Sequence, residues 1–192
     1  MKATFLDIPG LVEIVPTKHQ DERGYFVEAF RQNWFAETAG DVTFVQVNQA
    51  MSVQPGTVRG LHAQVAPSEQ GKLVQCLTGS VFDVAVDARR GSPSYGRWAA
   101  VTLTAEACNQ VWIPPGFLHG YCSLTPNATV SYLVSGYYDR EREVGVRWND
   151  PAIGIEWPDL VDESTISAKD RTLPELRETP DLFPYTDGKD GS

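Results

Sequence analysis

The sequence predicts an all-β protein, built as an antiparallel sandwich or barrel. Short runs of alternating apolar and polar residues follow one another through the middle of the chain, separated by turn-forming residues. The 192 residues include 16 glycines and 13 prolines, a turn-rich composition that suits many short strands. Helix signals are few, which disfavours a fold built of packed helices.

Six segments carry the strand signal in chain order, namely residues 43–47, 73–77, 81–86, 98–104, 110–113 and 128–134. The second and third of these flank Thr78-Gly79-Ser80, which predicts a hairpin with Gly79 in a left-handed conformation. Alternation along the third strand places Asp83 on the same face as Val81. A buried carboxylate needs a partner, and His119 or Lys72 are the candidates.

The remaining elements are short. Residues 33–40 predict a helix with Asn33 as its N-cap and Gly40 as its stop. Residues 167–170 predict the start of a last helix or a packed turn. We expect one domain over residues 1–180 and a flexible C-terminal tail over residues 181–192.

Charge and composition disfavour several classes of protein. The net charge of −9 disfavours binding to nucleic acid. Three cysteines without a C-x-x-C pair disfavour a disulfide framework and a thiolate metal site. No segment has the length and hydrophobicity of a signal peptide or a transmembrane helix, so we expect a cytoplasmic protein that does not bind membranes.

The segment from Arg59 to Lys72 contains the most informative chemistry, because it holds Arg59, His62 and Lys72 close together. A guanidinium group suits the oxygens of a phosphate. An imidazole can accept a proton from carbon near neutral pH. An ammonium group can stabilise a developing oxyanion. Together they predict an anionic substrate and proton transfer at an acidic C–H bond.

Two segments resemble the paired motifs of the cupin superfamily, a double-stranded β-helix or jelly roll: residues 56–62, which end at His62, and residues 114–119, which end at His119. A metal-dependent cupin would use these histidines with Gln64 or Glu69. An amide is a weak ligand and the Lys72 ammonium follows closely, so this alternative is disfavoured.

An ordered set of motifs over roughly residues 3–175 is similar to the dTDP-4-dehydrorhamnose 3,5-epimerase family. These motifs include Asp21-Glu22-Arg23-Gly24, Gln46-Val47-Asn48, Val58-Arg59-Gly60-Leu61-His62, Gln70-Gly71-Lys72-Leu73-Val74, His119-Gly120, Trp148-Asn149-Asp150 and Ser167-Ala168-Lys169-Asp170. The resemblance implies a cupin jelly roll with short peripheral helices and a homodimer with exchanged N-terminal strands. It implies that C3 and C5 of dTDP-4-dehydro-6-deoxy-D-glucose are inverted through an enolate to give dTDP-4-dehydro-L-rhamnose, with no metal or other cofactor.

The same resemblance implies roles for four catalytic residues. His62 matches the family's base, and Asp170 the carboxylate that orients it. Lys72 would stabilise the oxyanion at O4. Tyr132 matches the acid that returns a proton on the opposite face of the sugar, since a phenol is protonated near pH 7.

The implied binding residues are more dispersed along the chain. Arg59 would hold the diphosphate, and Arg23 and Glu28 would reach the nucleotide from the partner subunit. The other matches to substrate or nucleotide contacts are Gln46, Asn48, His119, Glu143 and Lys169, with Tyr138 beside the thymine.

Ala63 departs from the family pattern, which usually has an aromatic residue there. We expect the smaller side chain to enlarge the space near His62 and to alter which sugar fits or how many carbons are inverted. A mono-epimerase acting at C3 or C5 of a related nucleotide 4-keto-deoxysugar therefore stays open. A separate alternative is a nucleotide-sugar-binding module without catalysis.

Overall fold

The structure is a computed structural model that describes residues 1–179 and 182–185. It is a jelly roll of two antiparallel sheets, which confirms the predicted all-β class. The strands within the described residues are β1 (Lys2–Phe5), β2 (Val12–Val15), β3 (Lys18–Asp21), β4 (Gly24–Val27), β5 (Gln46–Ser52), β6 (Val58–Gln64), β7 (Lys72–Thr78), β8 (Ser80–Asp87), β9 (Arg89–Arg90), β10 (Trp98–Thr104), β11 (Gln110–Ile113), β12 (Phe117–Ser123), β13 (Ala128–Val134), β14 (Glu143–Gly145) and β15 (Phe183–Pro184).

The two large sheets pack face to face around the main core. One has the strand order β1-β2-β11-β7-β13-β5, and the other has the order β10-β8-β12-β6-β14. Val74 and Val130 from the first sheet and Leu103 from the second are fully buried between them. Burial of each such aliphatic side chain contributes about 1.5–3 kcal/mol to folding, so this interface holds the sheets at a fixed separation.

The predicted hairpin at residues 78–80 is wrong. β7 pairs with β11 and β13, whereas β8 pairs with β10 and β12, so the chain crosses from one sheet to the other at this point. Gly79 does have the predicted left-handed conformation, with φ of +75°, and a Cβ there would lie 2.1 Å from Thr125 Oγ1. A tight glycine turn thus serves a crossing between sheets as well as it serves a hairpin.

The longer helix, α1 (Gln32–Ala39), covers the outer face of the six-stranded sheet, where Phe35 is buried against Trp112. Its predicted cap is wrong: the N-cap is Arg31, which has extended backbone angles, and Asn33 lies inside the first turn. Gly40 ends the helix with φ of +104°, as predicted. The short helix α2 (Ala168–Arg171) begins after Ser167, within the segment predicted as a last helix or turn.

The strand predictions are confirmed at their bounds for β10, β11 and β13. The strand predicted at residues 43–47 instead begins at Gln46 and continues to Ser52. Within the tail predicted as flexible, β15 pairs with β9 and buries Phe183, while residues 181 and 186–192 lie outside the described residues. In the described chain, no helix is both long enough and apolar enough to cross a membrane.

Candidate active site

A cavity of about 430 Å³ is lined by strands of both sheets and by residues 165–170, which lead into and include the start of α2. It gathers residues that are far apart in sequence. The predicted site residues that line it are Arg59, His62, Lys72, His119, Tyr132, Lys169 and Asp170. The cavity therefore brings together all four predicted catalytic side chains.

His62 and Asp170 form a hydrogen-bonded pair at one wall of the cavity. His62 Nε2 lies 2.7 Å from Asp170 Oδ1, although the two residues are 108 positions apart. The histidine side chain keeps 26% of its surface exposed, and the carboxylate only 6%. When Nε2–H donates to the carboxylate, Nδ1 keeps its lone pair and can accept a proton.

Asp170 is held as an anion by its hydrogen-bond donors. Burial by itself would raise the pKa of this carboxyl, but the His62 hydrogen bond and charge and the Gly60 and Ser167 contacts outweigh it, so the pKa lies below its usual value. The backbone N–H of Gly60 lies 3.5 Å from Asp170 Oδ2. Ser167 caps α2 by accepting a hydrogen bond from the backbone N–H of Asp170. The helix start and the carboxylate position are thus set by the same serine.

Two glycines let β6 and β12 approach closely beneath His62. A Cβ on Gly60 would lie 2.7 Å from Gly120 Cα, and Gly60 also has φ of +115°. A Cβ on Gly120 would lie 2.7 Å from the Arg59 carbonyl oxygen. The strand register shifts at the same place, between His119 and Tyr121. The close approach fixes the spacing of the side chains that project from these two strands into the cavity.

Lys72 enters the cavity from the opposite sheet and is 9% exposed. Its Nζ donates a hydrogen bond to the His62 carbonyl oxygen at 3.3 Å. Burial lowers the pKa of Lys72 to about 8, and the charges of Asp83 and Glu143 oppose that effect. The ammonium form therefore predominates below this pH.

The buried carboxylate of Asp83 has a hydrogen-bond partner, as we predicted from its position in the strand. The carboxylate is 2% exposed, and its Oδ2 lies 2.9 Å from His119 Nε2. Of the two candidates, His119 makes the hydrogen bond, while Lys72 feels the carboxylate charge without one. A second histidine–carboxylate pair is thus buried deeper in the cavity than the His62 pair.

Tyr132 faces the cavity from β13, in the sheet opposite to the one that carries His62. Burial chiefly raises the pKa of its phenol, and the Glu143 charge adds to that effect, while Arg59 opposes it. The phenol therefore stays protonated across the physiological range and can donate a proton.

The rim of the cavity is a chain of polar contacts. Glu143 Oε2 lies 2.5 Å from Lys169 Nζ and accepts a hydrogen bond from Tyr138 Oη at 3.0 Å. Gln46 Oε1 accepts from the Tyr138 backbone N–H at 3.2 Å, and its amide nitrogen donates to Asn48 Oδ1 at 2.8 Å. Apart from Lys169, these predicted binding residues do not line the cavity itself, and the network sets them beside its rim.

Two predicted binding residues lie elsewhere in the chain. Arg23 pairs with Asp21 in the exposed β3–β4 hairpin. Glu28 pairs with Arg31. Neither side chain lines the cavity of its own chain.

The ligand set of the metal-cupin alternative does not come together. Gln64 donates to the carbonyl oxygens of Ser68 and Tyr137 and accepts from the Asp139 backbone N–H, so its amide is fully used in fixing loops. Glu69 is exposed. Within the described residues, no cluster of His, Cys, Asp or Glu side chains is arranged to hold a metal ion.

The expectation that Ala63 enlarges the space near His62 is wrong. Ala63 packs with Val84 and Val146 in a cluster behind the five-stranded sheet and does not line the cavity. Neighbouring residues of a strand point to opposite faces, so a residue next to His62 faces away from the cavity.

Sequence reasoning missed several lining residues: Ala50, Thr57, Val58, Gly120, Tyr121, Thr165 and Ser167. Tyr121 could have been found, because it lies two positions after His119 on one strand and therefore shares its face. Thr165 ends a single 3₁₀ turn (Glu163–Thr165) and Ser167 is the N-cap of α2, and elements this short leave no sequence period.

A jelly roll whose cavity holds a histidine–carboxylate pair on one sheet and a phenol on the other is typical of a cupin-fold enzyme that transfers protons. A model of the dTDP-4-dehydrorhamnose 3,5-epimerase family matches residues 5–178. The chain belongs to this family, and it is an isomerase.

Relatives and solved structures agree with this assignment. A dTDP-4-dehydrorhamnose 3,5-epimerase from Sinorhizobium fredii is 47% identical over 180 residues, covering 94% of this chain and 92% of the relative. The Legionella pneumophila epimerase RmlC, solved with dTDP-4-keto-L-rhamnose, is 39% identical with a TM-score of 0.91, covering 97% of this chain and 99% of that one. ChmJ, a 3'-monoepimerase from Streptomyces bikiniensis solved with dTDP-quinovose, is 39% identical with a TM-score of 0.84, covering 90% and 86%.

The Lys72 pKa predicts how activity depends on pH. If the ammonium form stabilises the oxyanion, kcat/KM should fall about tenfold per pH unit above roughly pH 8, because the neutral amine predominates there. Below that pH, this group should impose no decline. The phenol of Tyr132 has a raised pKa and does not titrate in this range. A profile of kcat/KM from pH 6 to 10 that stays level beyond pH 9 would contradict the role of Lys72.

Proposed function

We propose that the chain inverts C3 and C5 of dTDP-4-dehydro-6-deoxy-D-glucose to give dTDP-4-dehydro-L-rhamnose. The ketone at C4 acidifies the hydrogens on both neighbouring carbons. His62 removes one of these protons, the resulting oxyanion at O4 is stabilised by Lys72, and Tyr132 returns a proton to the opposite face of the same carbon. Proton exchange with solvent then returns His62 to the neutral imidazole and Tyr132 to the phenol, and the same steps are repeated at the second carbon.

One observation carries this proposal: the base and the acid project into one cavity from opposite sheets. His62 lies on β6 of one sheet, and Tyr132 lies on β13 of the other. Inversion at carbon requires removal of a proton from one face and delivery to the other. Two proton-transfer groups on facing walls meet that requirement, whereas two groups on one strand would not.

The dTDP part of the substrate is supported by relatives. The Legionella enzyme was solved with dTDP-4-keto-L-rhamnose, and the Streptomyces enzyme with dTDP-quinovose. In this chain, Arg59 at the cavity is the group we assign to the diphosphate. The polar rim that includes Gln46, Asn48 and Tyr138 is assigned to the nucleotide.

We also propose a cytoplasmic homodimer with exchanged N-terminal strands. Arg23 and Glu28 do not line their own chain's cavity, which supports a role in the partner's site. Phe5 and Phe26 are 68% and 71% exposed, and exposed aromatic side chains suit contact with a second copy. Light scattering should give the mass of two chains, and a monomer at working concentration would contradict this proposal.

The first test of the function is NMR of dTDP-4-dehydro-6-deoxy-D-glucose with the protein in deuterated water. We expect deuterium at both C3 and C5, and an L-lyxo product that a downstream reductase can trap. Deuterium at one carbon would instead establish a mono-epimerase, the alternative supported by the likeness to ChmJ. No exchange and no binding of dTDP would contradict the proposed substrate.

A further inference from the structure

Tyr121 is the one residue of the cavity wall whose hydroxyl is buried without a hydrogen bond in the described residues. The side chain lies on β12, and its cross-strand partners are Arg59 on β6 and Asp83 on β8. Residues directly opposite one another in an antiparallel pair share a face of the sheet. The phenol is therefore placed in the row that leads from the buried Asp83 out to the exposed Arg59.

Tyr121 lines the cavity and is 4% exposed, and its hydroxyl oxygen is buried. Buried polar groups in native proteins are nearly always hydrogen-bonded, so an unpaired one at a cavity wall indicates a ligand acceptor. Ser52 lies beside the phenol and lowers its pKa, as a donor to the phenol oxygen does, while the Ser52 oxygen accepts a hydrogen bond from Arg59 Nε at 3.2 Å. The Tyr121 proton has no acceptor of its own among the described residues.

The surroundings of Tyr121 decide which kind of acceptor fits. Burial raises the pKa of this phenol to about 12, so it acts only as a neutral O–H group across the physiological range. The Arg59 charge acts on the phenol and lowers its pKa. A neutral donor beside a guanidinium group suits an anionic oxygen, and phosphate oxygens are accept-only groups that take several donors at once.

We propose that Tyr121 is a substrate-binding residue whose hydroxyl donates a hydrogen bond to a diphosphate oxygen of the nucleotide sugar held by Arg59. The inference rests on the proposed function, because it assigns the diphosphate to this end of the cavity. It extends that proposal by assigning a second, neutral hydrogen-bond donor to the diphosphate beside Arg59. Such a contact is made equally in the ground state and the transition state, so it governs affinity and leaves the rate of proton transfer unchanged.

The test is the variant Tyr121→Phe, which removes one oxygen and keeps the ring. Isothermal titration with dTDP and with inorganic pyrophosphate should show about tenfold weaker binding of both, the effect of losing one hydrogen bond to a charged group. KM for the sugar substrate should rise by the same factor while kcat stays within about twofold. The melting temperature should not fall, since the hydroxyl makes no internal hydrogen bond.

Tyr132→Phe is the matched control, because it removes the other phenolic oxygen of the cavity. It should leave pyrophosphate affinity unchanged. The proposal is overturned if Tyr121→Phe binds pyrophosphate as tightly as the wild type, if only the melting temperature falls, or if the wild type binds neither probe. Deuterium exchange tests the catalytic function separately. A wild type that binds dTDP without exchanging protons would contradict that function. The ratio of pyrophosphate affinities of the wild type and Tyr121→Phe would still decide the role of Tyr121.

Discussion

His62→Ala should abolish deuterium incorporation at both C3 and C5 while the protein still binds dTDP. A positioned general base contributes roughly 10²- to 10⁴-fold to rate, and no second imidazole replaces this one. His119, the other histidine of the cavity, is 7% exposed and hydrogen-bonded to Asp83. The rate of exchange followed by NMR in deuterated water is the measurement.

Retained binding is what distinguishes this result from unfolding. The groups assigned to the nucleotide, Arg59 and the Gln46–Asn48 pair, do not contact the His62 imidazole by any hydrogen bond. The affinity for dTDP should therefore stay close to that of the wild type. Exchange at the wild-type rate in His62→Ala would show that another group removes the proton. Loss of both exchange and dTDP binding would point to a structural role for the histidine instead.

Tyr132→Phe should separate exchange from inversion. The His62–Asp170 pair is intact in this variant, so deuterium should still enter from the side of the base. Delivery of a proton to the opposite face should slow by roughly 10²-fold or more, because the phenol that faces His62 across the cavity is gone. NMR reads both events in one sample, as label in the unchanged substrate and as the appearance of inverted product.

Tyr95→Phe is the control for the loss of a phenol as such. Tyr95 packs behind the five-stranded sheet, in the cluster that contains Leu176 and Phe183, and does not line the cavity. Its variant should exchange and invert at wild-type rates. If Tyr132→Phe also inverts at the wild-type rate, the acid is a different group. If it loses exchange as well as inversion, Tyr132 takes part in both proton transfers.

Local sequence patterns were sufficient to predict the strands and the chemistry. Alternation placed β10, β11 and β13 at their observed bounds and put Asp83 on a buried face, because the side-chain period of a strand is two wherever one face is apolar. The residue types at Arg59, His62 and Lys72 indicated an anionic substrate and proton transfer, since those capabilities belong to the side chains themselves. The ordered motifs identified the family, and the comparisons confirm it.

Only the tertiary structure decided which strands are partners and which side chains meet. A left-handed glycine such as Gly79 occurs both in hairpin turns and in connections between two sheets, so the sequence did not distinguish the two. Ala63 is adjacent to His62 in sequence, but strand alternation places its side chain on the opposite face of the sheet, away from the cavity. The approach of Asp170 to His62 across 108 residues and the unpaired hydroxyl of Tyr121 depend on how two sheets and a loop close around one cavity. Such contacts are set by long-range packing, which no local pattern records.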